Sequence, residues 1–197
     1  MNTPTLVEML KCGVHFGHRA SKWHPNMAPY IFTTRNNVHI LNLEITQKKL
    51  KEALNAVRAL AAQGKIILFV GTKHQAQALV EKYATSCGMP FMSTRWLGGL
   101  FTNFSEVSGL ARQLIALKQQ RESGALKKYT KKEQIEFDRE IDRLQPMVGG
   151  IEAMMKLPDA IFIVDMKHEK TAVREAQRMH IPIFAITDTN VDPRLAD

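Results

Sequence analysis

The sequence contains little cysteine and no long apolar run. Its two cysteines, Cys12 and Cys87, lie far apart, and neither belongs to a CxxC pair. That pattern excludes a disulfide framework or a zinc ribbon and fits a reducing compartment. No apolar stretch approaches the ~20 residues that span a bilayer, and the N-terminus has no signal-peptide core. We therefore expect a soluble, cytoplasmic protein without a membrane partner.

Motifs of the common catalytic and nucleotide-binding sites are missing as well. The chain has no GxxxxGKS/T or GxGxxG phosphate loop and no GxSxG elbow, and neither cysteine has an evident histidine partner. The segment Gly71-Thr72-Lys73 offers one glycine and one lysine after a predicted strand, enough for a single phosphate at a helix N-terminus. We predict that the protein is not an enzyme and has neither a cofactor nor a small-molecule substrate.

Metal-ligating residues are few and scattered. His15 and His18 are three residues apart, but glycines bracket them and no cysteine or carboxylate lies nearby in sequence. A structural role or a phosphate contact is the better interpretation of this pair. Asp188 and Asp192, together with His24, are weak candidates for a structural divalent ion, and the sequence leaves metal binding open.

Acidic residues are scarce in the first half of the chain. Residues 1–104 contain 12 Lys and Arg against 4 Asp and Glu, whereas residues 158–197 contain 5 against 7. The formal net charge of +8 therefore derives from the first 104 residues. Such asymmetry predicts a polyanionic partner, nucleic acid before membrane. A basic but inert surface is the alternative.

The clearest structural pattern lies near the C-terminal end. Residues 160–164 are an apolar, largely β-branched run of the length of a buried strand. A short amphipathic helix is predicted from about Glu169, with its polar side formed by Lys170, Arg174, Glu175 and Arg178. A second apolar run at residues 183–186 completes a βαβ unit with parallel strands. The last residues show no closing element, so we expect the natural chain to continue.

A second strand–helix unit precedes this one. A strand at residues 66–70 leads through Gly71 into a helix, and a short edge strand is expected near residues 90–92. Together the two units predict an α/β domain, built from residues 1–104 and 157–197, with a mostly parallel, flavodoxin-like sheet flanked by helices.

An N-terminal arm, residues 1–45, is rich in turn formers, basic residues and aromatic residues. Thr3 and Pro4 are predicted to begin a first helix that ends at Gly13, and Thr46 is predicted to cap the next one. Residues 30–33 and 38–41 form a plausible hairpin around residues 35–37. Such a segment contacts RNA or packs on its own domain. The two roles are compatible, so one segment can have both.

Residues 105–156 carry two heptad-spaced apolar seams. Ser123-Gly124 interrupts the first helix, and Thr130 with Glu133 forms a capping box for the second. Pro146 and the glycines after it predict that the return helix kinks or ends there. This pattern predicts an inserted antiparallel coiled-coil hairpin. Its basic tip, residues 127–132, is either a solvated loop or a contact with RNA or a partner.

Three blocks of the sequence resemble one known family. Residues 10–18, LKCGVHFGH, are similar to the N-terminal signature of the bacterial small-subunit ribosomal protein S2 family. Residues 95–103, RWLGGLFTN, resemble the block which that family carries before its helical hairpin, and residues 158–182 resemble its second signature. The blocks occur in the family's order, with the predicted hairpin between the second and the third.

This resemblance implies a structural, rRNA-binding protein of the small ribosomal subunit. The family has a doubly wound α/β domain with a coiled-coil insertion and lies between the head and the body of the subunit. It contacts small-subunit rRNA and neighbouring ribosomal proteins, and it helps to recruit small-subunit protein one for translation initiation. The family pattern also continues for a strand and a helix beyond Asp197.

Candidate RNA contacts follow from the basic blocks. Lys and Arg neutralise phosphates, whereas aromatic and polar groups fit a particular RNA fold. In descending order of preference, we select Lys11, His15, His18, Arg19, Lys22, Trp23 and His24 in the arm, then Lys73 and His74, then Arg95, Trp96, Thr102 and Asn103. The two tryptophans fit a core position equally well.

Two other functions are consistent with the pattern. An α/β enzyme for nucleotides or sugar phosphates would need a phosphate loop that the sequence lacks. A protein-only adaptor would use the hairpin to bind partners, and its binding would not depend on RNA.

Overall fold

The computed structural model describes residues 3–197, apart from the side chain of Lys127. The strands are β1 Phe16–Arg19, β2 Ile31–Arg35, β3 Val38–Leu41, β4 Ile67–Val70, β5 Phe91–Met92, β6 Ala160–Val164 and β7 Ile183–Ile186. The α-helices are α1 Leu6–Lys11, α2 Leu43–Ala62, α3 His74–Ser86, α4 Phe104–Glu122, α5 Lys131–Val148 and α6 Lys170–Arg178. In this described part of the chain, no helix has the length and apolarity that crossing a membrane requires.

Four parallel strands form the main sheet, in the order β5-β4-β6-β7. Numbered along the chain, that order is 2-1-3-4, which matches the first four strands of the flavodoxin-like arrangement. The predicted strands at residues 160–164 and 183–186 are confirmed at their predicted bounds, and their parallel pairing is confirmed too. The α/β fold class predicted from the sequence is therefore confirmed.

The hydrophobic core lies between this sheet and three of the helices. Leu68, Val70, Ile161 and Ile163 are fully buried on the strands and belong to one cluster with side chains of α4, α5 and α6. Removing apolar surface from water at about 25 cal/mol per Å² makes this cluster the main stabilising contribution. On the opposite face Ile67 and Ala160 are buried as well, while Phe69 and Phe162 are partly exposed, so the apolar runs of these strands serve both faces to different degrees.

Helices α4 and α5 form the predicted antiparallel hairpin. The capping box is present: Thr130 Oγ1 accepts from Glu133 N–H, and the Glu133 carboxylate accepts from Thr130 N–H. Leu114 and Leu144 of the predicted seams are fully buried within the body's core cluster, so the hairpin base is part of the core. Helix α5 continues through Pro146 and ends at Val148. The coiled-coil geometry stays a prediction.

The outer edge of strand β5 is covered by the turn that follows α5. A Cβ added at Gly150 would collide with the carbonyl oxygen of Phe91 and would lie 2.9 Å from its ring. The chain therefore approaches the outer side of β5 at a distance that only glycine allows. This contact covers one exposed edge of the sheet, where unpaired strands otherwise invite aggregation.

The N-terminal arm folds into a small antiparallel sheet of order β1-β3-β2. The predicted hairpin is confirmed, and Asn36 and Asn37 adopt φ values of 48° and 63°, as a two-residue type I′ turn requires. Strand β1, which includes Gly17 and His18, was not predicted. It pairs with β3 and carries the first family-like block into the sheet.

Two predicted helix starts were wrong. Helix α1 begins at Leu6, because Thr5 and Glu8 form a reciprocal capping box downstream of Pro4. Helix α2 begins at Leu43, where the Asn42 side chain accepts from two backbone N–H groups, and not at Thr46. The Thr46 hydroxyl lies inside the first turn and donates to the Asn42 carbonyl at 2.9 Å. In both cases a better cap was available a few residues away.

The close approach at the edge strand generates a stability prediction. Replacing Gly150 by alanine should lower the free energy of unfolding by about 1–3 kcal/mol or more, because the new methyl group overlaps backbone that cannot move freely. Urea denaturation measures the difference.

Gly109 provides the matched control, since a Cβ added there meets nothing within 4 Å. Gly109 lies inside α4, so the substitution G109A should raise the free energy of unfolding by about 0.5–1 kcal/mol. A G150A protein as stable as the parent would contradict the close approach.

Candidate nucleic-acid interface

Charged side chains collect at the carboxyl ends of the parallel strands. Lys73 follows β4 and Asp165 follows β6, and their side chains form an ion pair with Nζ 2.9 Å from Oδ2. The hydrogen bond to Asp165 raises the pKa of Lys73 and stabilises its charge. Lys73 was predicted to contact RNA, and the structure gives it a partner within the protein. It is therefore a weaker phosphate ligand than an unpaired lysine.

The turn that contains Thr72 is held by a buried carboxylate. Glu169 is 3% exposed, and its Oε1 accepts from both the N–H group and the hydroxyl of Thr72. The Thr72 N–H group, which a phosphate at this strand end would use, already has a partner. The single-phosphate interpretation of Gly71-Thr72-Lys73 therefore loses one of its donors.

A third group of contacts attaches the arm to the body. Thr189, fully buried, accepts from His18 N–H at its hydroxyl and from His24 N–H at its carbonyl. A Cβ at Gly17 would lie 2.5 Å from the Thr189 methyl group, so β1 needs glycine there. Asn26 adds a hydrogen bond to Asp192. Residues more than 160 positions apart in the chain thus form one joint.

Two of the three histidines predicted in the arm, His18 and His24, take part in this joint. The His18 ring lies 2.8 Å from the Asn190 amide at Nε2 and 3.0 Å from Asp188 at Nδ1. His24 Nδ1 accepts from Asn26 N–H as a helix cap. Both rings therefore have structural contacts, and His15 is only half exposed.

The residues proposed as weak metal ligands also have protein partners. Asp192 accepts hydrogen bonds from Arg194 and Asn26, and these hold the pKa of its carboxyl far below the usual range. Within residues 3–197, no group of three or more His, Cys, Asp or Glu side chains has metal-binding geometry. A divalent ion bound by His24, Asp188 and Asp192 stays an untested prediction.

Glu175 organises the loop that carries the second family-like block, residues 95–103. Its carboxylate accepts from the N–H groups of Gly99 at 2.8 Å, Phe101 at 3.0 Å and Thr102 at 3.4 Å, and from the Trp96 indole at 3.1 Å. Burial raises the pKa of Glu175, but these hydrogen bonds outweigh burial and lower it below the usual value. Glu175 is therefore a buried anion. The sequence pattern had assigned it to the polar side of α6, and the structure corrects that assignment.

Trp96 is corrected as well. It is 7% exposed, its N–H group donates to Glu175, and its ring meets Phe101 edge to face at 5.0 Å. A side chain in that position cannot stack on a base, so Trp96 is a core residue. By contrast, Trp23 is 36% exposed, and its ring lies 5.1 Å from the ring of His39 in a tilted arrangement.

The remaining candidates lie on the surface. Lys11, Arg19 and Lys22 are exposed cations of the arm, and none of them forms an ion pair within the described residues. His74, Arg95, Thr102 and Asn103 are exposed on the body. Unpaired surface cations can neutralise phosphates without first breaking a protein contact. This arrangement is chemically suited to a polyanion.

Comparison with known proteins finds relatives over nearly the whole chain. The family model described as Ribosomal protein S2 matches residues 9–197. The chain is 47% identical over 193 residues to small ribosomal subunit protein uS2 of Synechococcus elongatus, covering 98% of this chain and 77% of that protein. It is 48% identical over 192 residues to the uS2 protein of Chloroherpeton thalassium, with the same coverage.

A family match over nearly the whole chain identifies the family. The resemblance of the three sequence blocks is confirmed, and the enzyme alternative is not supported. The chain belongs to the ribosomal protein S2 family and is a structural, non-enzymatic protein of the small ribosomal subunit.

Proposed function

We propose that this protein binds small-subunit rRNA through the basic surface of its first hundred residues, while the α/β body holds that surface in shape. The observation that carries the proposal is the set of exposed, unpaired arm cations Lys11, Arg19 and Lys22. They lie in the part of the chain that holds 12 Lys and Arg against 4 Asp and Glu.

Electrostatics accounts for most of the affinity in this proposal. Each phosphate that a lysine or arginine neutralises releases counterions, which favours binding at low salt. Trp23, half-exposed at the end of the arm's short 3-10 turn, can pack against RNA with the exposed part of its ring. Arg95, Thr102 and Asn103 supply a second contact region, and the ion-paired Lys73 contributes less.

Family membership supports a proposal for the finer biological role. We propose a position between the head and the body of the small subunit, in the bacterial cytoplasm, with other ribosomal proteins as neighbours. Support for the recruitment of small-subunit protein one in translation initiation is part of the same proposal. The arm exposes large apolar side chains as well as cations, notably Phe16 at 60% and Phe32 at 73%. Such exposed apolar surface favours a protein contact beside the RNA contact.

The salt dependence of binding tests the electrostatic argument. The isolated protein should bind small-subunit rRNA with an affinity that falls steeply with salt concentration. At roughly −0.7 to −0.9 per neutralised phosphate, several contacts give a log–log slope of about −3 or steeper. Filter binding over a salt series measures the slope, and a flat response would contradict the proposal.

Charge reversal locates the interface. The triple variant Lys11→Glu, Arg19→Glu, Lys22→Glu should weaken rRNA binding and reduce the magnitude of the salt slope by about 3, roughly one unit for each lost phosphate contact.

The matched control is Lys128→Glu, Lys131→Glu, Lys132→Glu at the hairpin tip, which changes the net charge equally. These three lysines are also exposed. The arm variant should lose more affinity than the tip variant. The opposite ranking would move the interface to the hairpin.

A further inference from the structure

The loop at residues 95–103 is shaped around a buried charge. Three backbone N–H groups and one indole N–H converge on the Glu175 carboxylate, which is only 8% exposed. Successive N–H groups turned toward one point form a concave anion site. In many proteins such a site binds phosphate, but here a carboxylate of the same chain fills it. These three backbone N–H groups are therefore not available to RNA.

The side chains of the loop divide into two sets. Leu100 and Phe101 are buried beneath it at 0% and 1% exposure, while Arg95 and Asn103 are exposed. Thr102 is exposed too, but its hydroxyl donates to the Glu175 carboxylate at 3.5 Å. Gly99, at φ 89°, allows the turn that brings its N–H group to the carboxylate. The direction in which the exposed side chains point thus depends on the hydrogen bonds between the loop backbone and Glu175.

We propose that Glu175 is a positioning residue for RNA binding, whose buried carboxylate holds the 95–103 loop in the shape that presents Arg95, Thr102 and Asn103 to rRNA. The inference rests on the proposed function and assigns a buried acidic residue to a basic interface. Glu175 touches no RNA in this proposal. It acts through the three exposed residues, which lose their fixed geometry when the carboxylate is neutralised.

A double-mutant cycle on rRNA affinity tests the inference. The variants are E175Q, R95A and the double variant, each compared with the parent at one salt concentration. Glutamine keeps the size of the side chain but turns an NH2 group toward backbone donors. E175Q and R95A should each weaken binding about tenfold, as the loss of a good contact does. The double variant should be no more than about twofold weaker than E175Q alone.

Glu169 provides the control for a merely structural effect. It is a buried carboxylate next to the same helix, but it holds Thr72 instead of the 95–103 loop. In the E169Q background, R95A should still cost about tenfold in affinity. Thermal unfolding monitored by circular dichroism reports whether each variant is folded. If E175Q does not fold, E175D, which keeps the charge on a shorter side chain, replaces it in the cycle.

The outcomes separate two kinds of failure. Additive losses, about a hundredfold for the double variant, or an R95A variant that binds like the parent, would overturn the positioning role. A parent protein whose rRNA binding is absent or insensitive to salt would instead overturn the proposed function. Coupling between Arg95 and Glu175 that is absent between Arg95 and Glu169 would establish the inference.

Discussion

Two buried carboxylates beside helix α6 hold the loops through which the sheet connects to the rest of the protein. Glu169 lies just before the first turn of α6 and binds the Thr72 turn, where β4 leads into α3. Glu175 lies within α6 and binds the loop between β5 and α4. A buried polar group that loses its hydrogen-bond partners costs about 1–3 kcal/mol, so each carboxylate favours the loop conformation that supplies its donors. The helix of the most evident βαβ unit thereby determines the geometry of two distant segments.

The same principle of long-range attachment applies to the arm. Thr189, fully buried, binds the backbone of both His18 and His24, and Gly17 leaves room for its methyl group. The arm's own sheet is small, and an isolated sheet of this size has little stability in water. Its docking on residues 188–192 therefore fixes where its exposed cations lie. In this protein the position of the basic surface thus depends on the segment that follows the last strand of the described sheet.

The parts of the fold that the sequence predicted are those determined locally. The strand at residues 160–164 was found because an apolar, β-branched run is its own signal, and the Thr130 capping box because both partners lie three residues apart. The misplaced start of α1 had the same kind of signal at Thr5 and Glu8. Strand β1 gave no such signal, because it is short, contains glycine and pairs with residues more than 18 positions away.

The candidate site was less predictable, for a related reason. A glutamate in an amphipathic helix has the same local pattern whether it faces water or a loop, and the loop bound by Glu175 lies 73 to 79 positions away. Trp96 could not be assigned from the sequence, since an indole suits both a core and a base stack. Exposed cations such as Lys11 were easier, because long charged side chains are seldom buried without a partner.

The arrangement of the carboxylates also explains how an α/β domain with acidic residues near its C-terminal end can serve a basic interface. Glu169 and Glu175 are directed at backbone N–H groups, and Asp165 at Lys73, so none of the three presents a free carboxylate to an approaching phosphate. The exposed cations of the arm have no such internal partners in the described structure. At the short range over which surface charges act in salt solution, the arm's cations therefore have no ion-pair partner within the described structure. Because the acidic residues near helix α6 are bound within the protein, the proposed phosphate contacts are left to the unpaired cations of the arm.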